Sequence, residues 1–195
     1  MEIIDLALQS KTIREAAATL LVDHFGEPRP WPNLPMARRE LAEVIADGFV
    51  RAMLDGRKLL GWIGGLPGYD GHVWELHPLV VHRDHRLRGI GRTLVAAFEA
   101  AALKRGALTV TLGTDDLSNM TSLSGVDLYA NLPRRIAALR DLGRGHPFLF
   151  YRKLGYTVTG VLPDANGLGH PDIYMSKRVA QAVSLQGRES SRPFR

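Results

Sequence analysis

The spacing of apolar positions changes period several times along the chain, and these changes divide it into elements. "MEIIDLAL" (1–8) reads as a first strand. In "TIREAAATLLVDHFG" the spacing becomes helical: apolar residues fall at 13, 16, 17, 20 and 21, Thr12 and Glu15 are spaced as a capping box, and Gly26 supplies a stop. The proline-rich "EPRPWPNLP" predicts a loop with one aromatic, Trp31, in its middle. A second helix, "MARRELAEVIADG", follows Pro35 and ends at Gly48. "FVRAML" and "KLLGWIGGL" flank Asp55-Gly56, a strong signal for a two-strand hairpin.

After "PGYDGH" a strand is expected over about 73–81, then a helix in "GRTLVAAFEAAALKRG" with Leu94, Val95, Phe98 and Ala102 on one face and Gly106 as its cap. "LTVTLGTDD" is a strand that runs into two carboxylates. Residues 114–145 predict an insertion with a helix near "VDLYANLPRRIAALRDLG". A short helix "PFLFYRKLG", a strand "YTVTGVL", a turn region and a last strand "DIYMSK" complete the order. This succession predicts one α/β (α+β) domain over 1–178, a mixed sheet flanked by helices. Residues 179–195 are expected to form a flexible basic tail.

Composition changes this picture little. With 195 residues, 45% hydrophobic and 23% charged, the chain has ordinary globular proportions. The absence of cysteine excludes disulfides, thiolate metal sites and a cysteine-linked intermediate. No apolar run approaches the roughly 20 residues that span a bilayer, and the first thirty residues lack a basic segment followed by an apolar one. A cytoplasmic location, with no membrane partner, is therefore expected. The net charge of +5 raises the question of nucleic acid, but +2 of it lies in "QGRESSRPFR", where Arg188, Arg192 and Arg195 face only Glu189. No aromatic-interleaved basic patch accompanies the tail, so no nucleic-acid partner is expected.

The chemistry concentrates in "HVWELHPLVVHRDHRLRGIG" (72–91). Strand alternation places Val73, Glu75, His77, Leu79 and Val81 on one face and Trp74, Leu76, Pro78 and Val80 on the other. Pro78 argues against a fully paired central strand and fits a bulge or a splay. A freed Leu79 amide there could stabilise charge developing on a carbonyl oxygen, and Glu75 could remove a proton from an ammonium nucleophile. Alternatively, Glu75 pairs with an arginine and His77 is a satisfied edge histidine; the strand alone leaves both readings open. Beyond it, "RLRGIG" (86–91) lies between a strand and a helix. Unpartnered helix N–H groups, Gly89, Gly91 and the charges of Arg86, Arg88 and Arg92 suit a pyrophosphate. The Walker A pattern fails at Arg86 and Arg92, and the dinucleotide fingerprint fails at Leu94.

Arg86-x-x-Gly89-x-Gly91 after a strand, followed by "FYRKLGY" (150–156), resembles the GCN5-related N-acetyltransferase superfamily. Within it, "GWIGGLPGYDGHVWELHPLVV", "TLGTDDLSNMTSLSGVDLY", "HPFLFYRKLGY" and "GVLPDANGLGHPDIYMSKR" look like the bacterial aminoglycoside 6′-N-acetyltransferases, over roughly 60–178. The resemblance implies a sheet splayed between strands at about 73–81 and 108–113, acetyl-CoA as cosubstrate, a small-molecule amine as partner, no metal, and a homodimer. It implies catalytic roles for Glu75 (acid–base), Leu79 (the amide that polarises the thioester), Tyr151 (general acid) and the neighbouring His77. Leu79, Val80, Val81, Arg86, Leu87, Arg88, Gly89, Ile90, Gly91, Arg92, Thr93 and Tyr151 would hold acetyl-CoA; Glu75, His77, Asp115, Asp116 and Trp31 would face the amine. Asp115 and Asp116 are also read as turn or helix caps, one at a time. The acceptor could instead be a polyamine, a metabolite or a protein lysine, and a non-enzymatic CoA-sensing or nucleic-acid-binding module is the competing class.

Overall fold

The computed structural model describes residues 1–24 and 30–181. The predicted stop at Gly26 and all but the first three residues of the predicted tail lie outside them. Seven strands form a mixed sheet in the order β1-β2-β3-β4-β5-β7-β6. They are β1 (Glu2–Asp5), β2 (Phe49–Asp55), β3 (Lys58–Gly68), β4 (Val73–Val81), β5 (Thr109–Asp115), β6 (Thr157–Leu162) and β7 (Asp172–Arg178). The helices are α1 (Lys11–His24), α2 (Leu34–Asp47), α3 (Ile90–Lys104), α4 (Leu132–Ala137) and α5 (Phe148–Lys153). Every pair in the sheet is antiparallel except β4–β5. Among the described residues no helix is long and apolar enough to cross a membrane.

Local chemistry explains where some elements depart from the sequence pattern. Strand β1 ends early because the Asp5 carboxylate accepts the Ala7 amide (3.0 Å) and turns residues 6–8 into a 3-10 segment. Helix α1 is capped not by Thr12 but by Ser10, whose hydroxyl accepts the Ile13 amide (3.4 Å). Glu15 is thereby released from the expected capping box and pairs with Arg38 of α2. In α2, Asn33 accepts the Met36 amide (3.0 Å), so the helix begins at Leu34, one residue before Pro35. In the insertion only α4 is helical, because Asp141 accepts the amides of Gly143 (2.9 Å), Gly145 (3.1 Å) and His146 (2.8 Å) and shapes a compact loop.

Apolar groups pack on both faces of the sheet. One face carries Ile63, Trp74, Leu76 and Val81 against Leu94, Phe98 and Ala102 of α3, continuing to Phe148, Tyr151 and Tyr156. The other carries Trp62 and Val80 against Ala17, Leu21, Leu41 and Val44 of α1 and α2, and the Trp62 indole N–H donates to the Ala17 carbonyl (3.0 Å).

The decisive irregularity is in β4. It pairs with β3 as Ile63↔Leu79 on one side and Gly65↔Leu76 on the other, so His77 and Pro78 together oppose Gly64. This is a bulge with its extra residue on β4. It resets the alternation: Leu79 and Val81 join Trp74 and Leu76 on the α3 face, while Val80 turns toward α1 and α2. The expected single face of Val73, Glu75, His77, Leu79 and Val81 is therefore corrected to Val73, Glu75 and His77 alone. Gly64 makes room for the bulge, since a Cβ there would lie 2.6 Å from both the His77 carbonyl oxygen and Val44 Cγ1.

Gly64→Ala must displace backbone as well as Val44, so a loss of about 1–3 kcal/mol is expected. The urea midpoint would fall at unchanged slope. An unaltered midpoint would show that β4 adapts without this glycine.

Candidate active site

Strand β5 runs beside β4 only through Val73↔Thr109, Trp74↔Val110 and Glu75↔Thr111. Past Glu75 the two strands carry no ladder, so the sheet opens there. The direction of the freed groups follows from the β3 side. The His82 amide donates to the Leu60 carbonyl (2.8 Å), which makes that pair a hydrogen-bonded one. Antiparallel pairs alternate, so Trp62↔Val80 is the next hydrogen-bonded pair, and Leu79 and Val81 turn their amides away from β3. Both N–H groups thus point into the gap between β4 and β5.

At the end of β4 the chain enters the turn of residues 86–89. Leu87 (φ 60°) and Gly89 (φ 82°) adopt left-handed conformations, and no side chain caps the N-terminus of α3. Ile90 is buried and anchors the helix start in the core; Arg88 and Arg92 are exposed around it. A Cβ on Gly89 would meet nothing within 4 Å, whereas one on Gly91 would lie 3.3 Å from the Phe150 ring. Gly89 therefore serves turn geometry and open access, and Gly91 serves packing. Thr93 hydrogen-bonds its hydroxyl back to the Gly89 carbonyl (3.2 Å). Arg86 is exposed at the same turn, where its guanidinium reaches the Val81 carbonyl (3.4 Å) and His24 at the end of α1 (3.2 Å to Nδ1). Burial, then the Arg86 charge, push His24 down to about 4, so it is neutral there. Free helix N–H groups, exposed arginines and an open approach fit a pyrophosphate.

On the sheet face opposite α3, the register brings carboxylates together. Glu75 stands beside Thr111 of β5, and Asp115 stands opposite Asp172 of β7. Burial, then the Asp115 charge, push Asp172 up to about 6, and its Oδ1 is buried without a hydrogen-bond partner. Gly113 leaves space for this carboxyl, since a Cβ there would lie 2.5 Å from Asp172 Oδ2. Tyr174 is raised first by burial and then by Asp172, with Glu75 and Asp115 contributing, which places the phenol among the same acids. Across from them His77 Nε2 lies 3.1 Å from Glu40 Oε1, and the Trp31 indole N–H donates to Glu40 Oε2 (3.0 Å).

Trp31, His77, Glu75 and Asp115 thus gather on one face as expected, but Asp116 does not. It is fully buried, and its oxygens accept the amides of Met120 (2.7 Å) and Thr121 (2.7 Å) and the Ser124 hydroxyl. Burial raises its pKa, but the Ser124, Met120 and Thr121 bonds outweigh it and hold the carboxyl below its usual value. The expected substrate contact is corrected to a cap that closes the insertion. Glu40, Asp172 and Tyr174 were not singled out by the sequence. Glu40 precedes the buried Leu41 on an amphipathic helix, where an acid is ordinary. Asp172 opens the last predicted strand, and only strand pairing reveals its neighbour.

Tyr151 lies on the other side of the sheet, packed edge-on against Phe150 (5.0 Å between centroids) and Tyr156 (5.7 Å). Burial pushes its phenol far above the ordinary value, so it keeps its proton throughout the neutral range. A separate surface cavity of about 350 Å³ in the insertion is lined by Ser122, Ser124, Arg135 and Leu142 among others, and by none of the residues gathered above. Among the described residues no group of three or more His, Asp or Glu side chains could hold a metal ion.

Because the folded Asp172 carboxyl binds its proton more tightly than an unfolded one, folding stability should fall as pH rises from about 4 to about 6. Urea midpoints between pH 4 and 7 test this. Asp172→Asn should remove that part of the slope, and an unchanged profile would contradict the assignment.

The acetyltransferase (GNAT) family model matches residues 14–130. An acetyltransferase of Sodalis glossinidius (strain morsitans) is 34% identical over 84 residues, which cover 43% of this chain and 57% of that protein. The match therefore spans little more than half of that relative. Among solved structures, an aminoglycoside 6′-N-acetyltransferase complexed with coenzyme A superposes with a TM-score of 0.85 at 35% identity, covering 94% of this chain and 100% of that one. The aminoglycoside 6′-N-acetyltransferase from Enterococcus faecium gives a TM-score of 0.85 at 37% identity with the same coverage. On the strength of a family model matched over more than half its length, the chain belongs to the acetyltransferase (GNAT) family.

Proposed function

We propose that the chain is an acetyl-CoA-dependent N-acetyltransferase that transfers acetyl directly to a primary amine, with the 6′-amino group of an aminoglycoside as the preferred acceptor. The observation that carries this reading is the opening between β4 and β5 beyond Glu75, into which the Leu79 amide points from the same strand that carries the Glu75 carboxylate. The similarity to aminoglycoside 6′-N-acetyltransferases supports the acceptor, as does the local charge. Glu40, Glu75, Asp115 and Asp172 make the face acidic although the chain as a whole carries +5.

Acetyl-CoA would supply the acetyl group as a thioester. The uncapped first turn of α3, with Gly89, Ile90, Gly91, Arg88, Arg92 and Thr93, would hold its pyrophosphate, and the gap lined by Leu79, Val80 and Val81 would hold the arm. Arg86 and Leu87 would shape the turn. Glu75 removes a proton from the acceptor ammonium, directly or through water, because the free amine is the nucleophile. The Leu79 N–H donates to the thioester oxygen as negative charge develops on it. Tyr151, protonated at neutral pH, gives its proton to the departing sulfur. A cysteine-linked acyl-enzyme cannot form in this chain, which favours direct attack within one ternary complex. A homodimer acting in the cytoplasm completes the reading, and light scattering tests the dimer.

Thiol release from acetyl-CoA with kanamycin, spermidine or a lysine peptide tests the acceptor. Release with kanamycin is expected; release only with another amine would replace the acceptor, and CoA binding without release from any amine would favour a sensor. Glu75→Gln should lower kcat about 10²–10⁴-fold at neutral pH. The deficit should shrink as pH approaches the acceptor's own pKa, whereas an equal loss at every pH would remove Glu75 from the base role. Tyr151→Phe should slow transfer without weakening acetyl-CoA binding; a wild-type rate would exclude it as the acid.

A further inference from the structure

Glu40 lies on α2 beside residues that pack into the core, at a position where the helical pattern predicts a solvated acid. It is instead a bridge. One oxygen accepts the Trp31 indole N–H (3.0 Å) and the other meets His77 Nε2 (3.1 Å), joining the segment before α2 to the bulge of β4. The two rings it holds stand 5.7 Å apart at 56°. Trp31 is buried and the His77 side chain is 38% exposed, so part of the imidazole remains accessible.

Among the described residues the charges that face His77 come from three elements: Glu40 of α2, Glu75 of its own strand and Asp115 of β5; β3 presents Gly64 across the bulge. The Glu40 hydrogen bond raises His77 above the ordinary histidine value, burial opposes it, and the charges of Glu40, Glu75 and Asp115 add to the rise. In the partner, the His77 bond lowers Glu40, burial opposes, and the Trp31 bond lowers it further. The two directions agree. His77's contribution to stability is complete below the unfolded value of about 6.5 and is lost as pH rises through its folded value.

We infer that Glu40 is a positioning residue for the acceptor: it fixes the Trp31 indole and the His77 ring as one wall of the amine site, and it sets the pH range in which a cationic acceptor is admitted. The inference rests on the acetyl-transfer reading. Its physical basis is charge. A protonated His77 repels an ammonium group brought beside it, and Glu40 offsets that repulsion while holding the proton on the ring to higher pH. Loss of the proton leaves the Glu40 carboxylate uncompensated and favours a cation. By linkage, acceptor affinity must rise as pH climbs through the titration of His77.

The test combines NMR titration of the His77 imidazole with kanamycin KM across pH in the wild type, Glu40→Gln and Glu40→Asp. In the wild type the acceptor KM is expected to step down through the His77 midpoint. Glu40→Gln moves both the midpoint and the step to lower pH. It also raises the kanamycin KM on the alkaline side about 3- to 10-fold, because the wall loses one negative charge and its two rings are no longer held, with the acetyl-CoA KM unchanged. Glu40→Asp, which keeps the charge, recovers part of both shifts. Ionisation of kanamycin itself is common to all three proteins and cancels in the comparison. A step that stays in place while the NMR midpoint moves overturns the inference and leaves acetyl transfer standing. A parallel rise in the acetyl-CoA KM also overturns it, as does Glu40→Asp behaving like Glu40→Gln. If Glu40→Gln loses its fold by circular dichroism, Glu40→Asp alone decides, since its midpoint and step must still move together. Absence of turnover with every amine removes both the reading and the inference.

Discussion

The bulge at His77 and Pro78 is the constraint on which the rest of the site depends. Two residues of β4 face one residue of β3, and the chain absorbs the extra length because Gly64 has no side chain. The alternation of β4 is thereby reset. Glu75 and His77 stay on the face opposite α3, while Leu79 and Val81 return their side chains to the core and turn their amides toward the gap. Without the bulge, strict alternation would place Leu79 on the face of Glu75. The Leu79 side chain would then stand on the acidic face instead of packing in the core on the α3 side.

The gap would be of little use if it opened onto neutral walls. The β5–β7 register sets Asp115 against Asp172, and the helix packing carries Glu40 to His77, so the face below the gap is acidic. The turn before α3 has the opposite character, with uncapped amides and the exposed Arg88 and Arg92. A chain with a modest positive net charge thus separates its charges into two regions. One suits an anion and the other a cation, and the opening between β4 and β5 lies between them. Asp172 carries the cost of this arrangement, because its burial beside Asp115 disfavours its own ionisation.

Arg86 and Asp116 show how motif residues can serve the scaffold. Arg86 ties the end of β4 to the end of α1, and Asp116 closes the insertion through Met120, Thr121 and Ser124. Both lie next in sequence to residues of the site, and both bond to backbone groups of neighbouring segments.

The order of the central and C-terminal elements, the Asp55-Gly56 hairpin, the glycine turn before α3 and the opening near Pro78 were legible in the sequence because each rests on local preferences: side-chain period, left-handed glycine, and the missing amide of proline. Glu75, His77, Leu79 and Tyr151 could be named from the same stretches together with a family resemblance. The pairing partners could not. That Ser10 rather than Thr12 caps α1, that the face of β4 switches after His77, that Asp115 meets Asp172, and that Glu40 grips both Trp31 and His77 are consequences of register and helix docking. These bring together residues far apart in the chain, and nothing local encodes which of several similar acids will arrive. The sequence determined the elements and the chemical types available; the tertiary structure decided which carboxylates share a face, because strand register and packing, not spacing along the chain, set the distances between them.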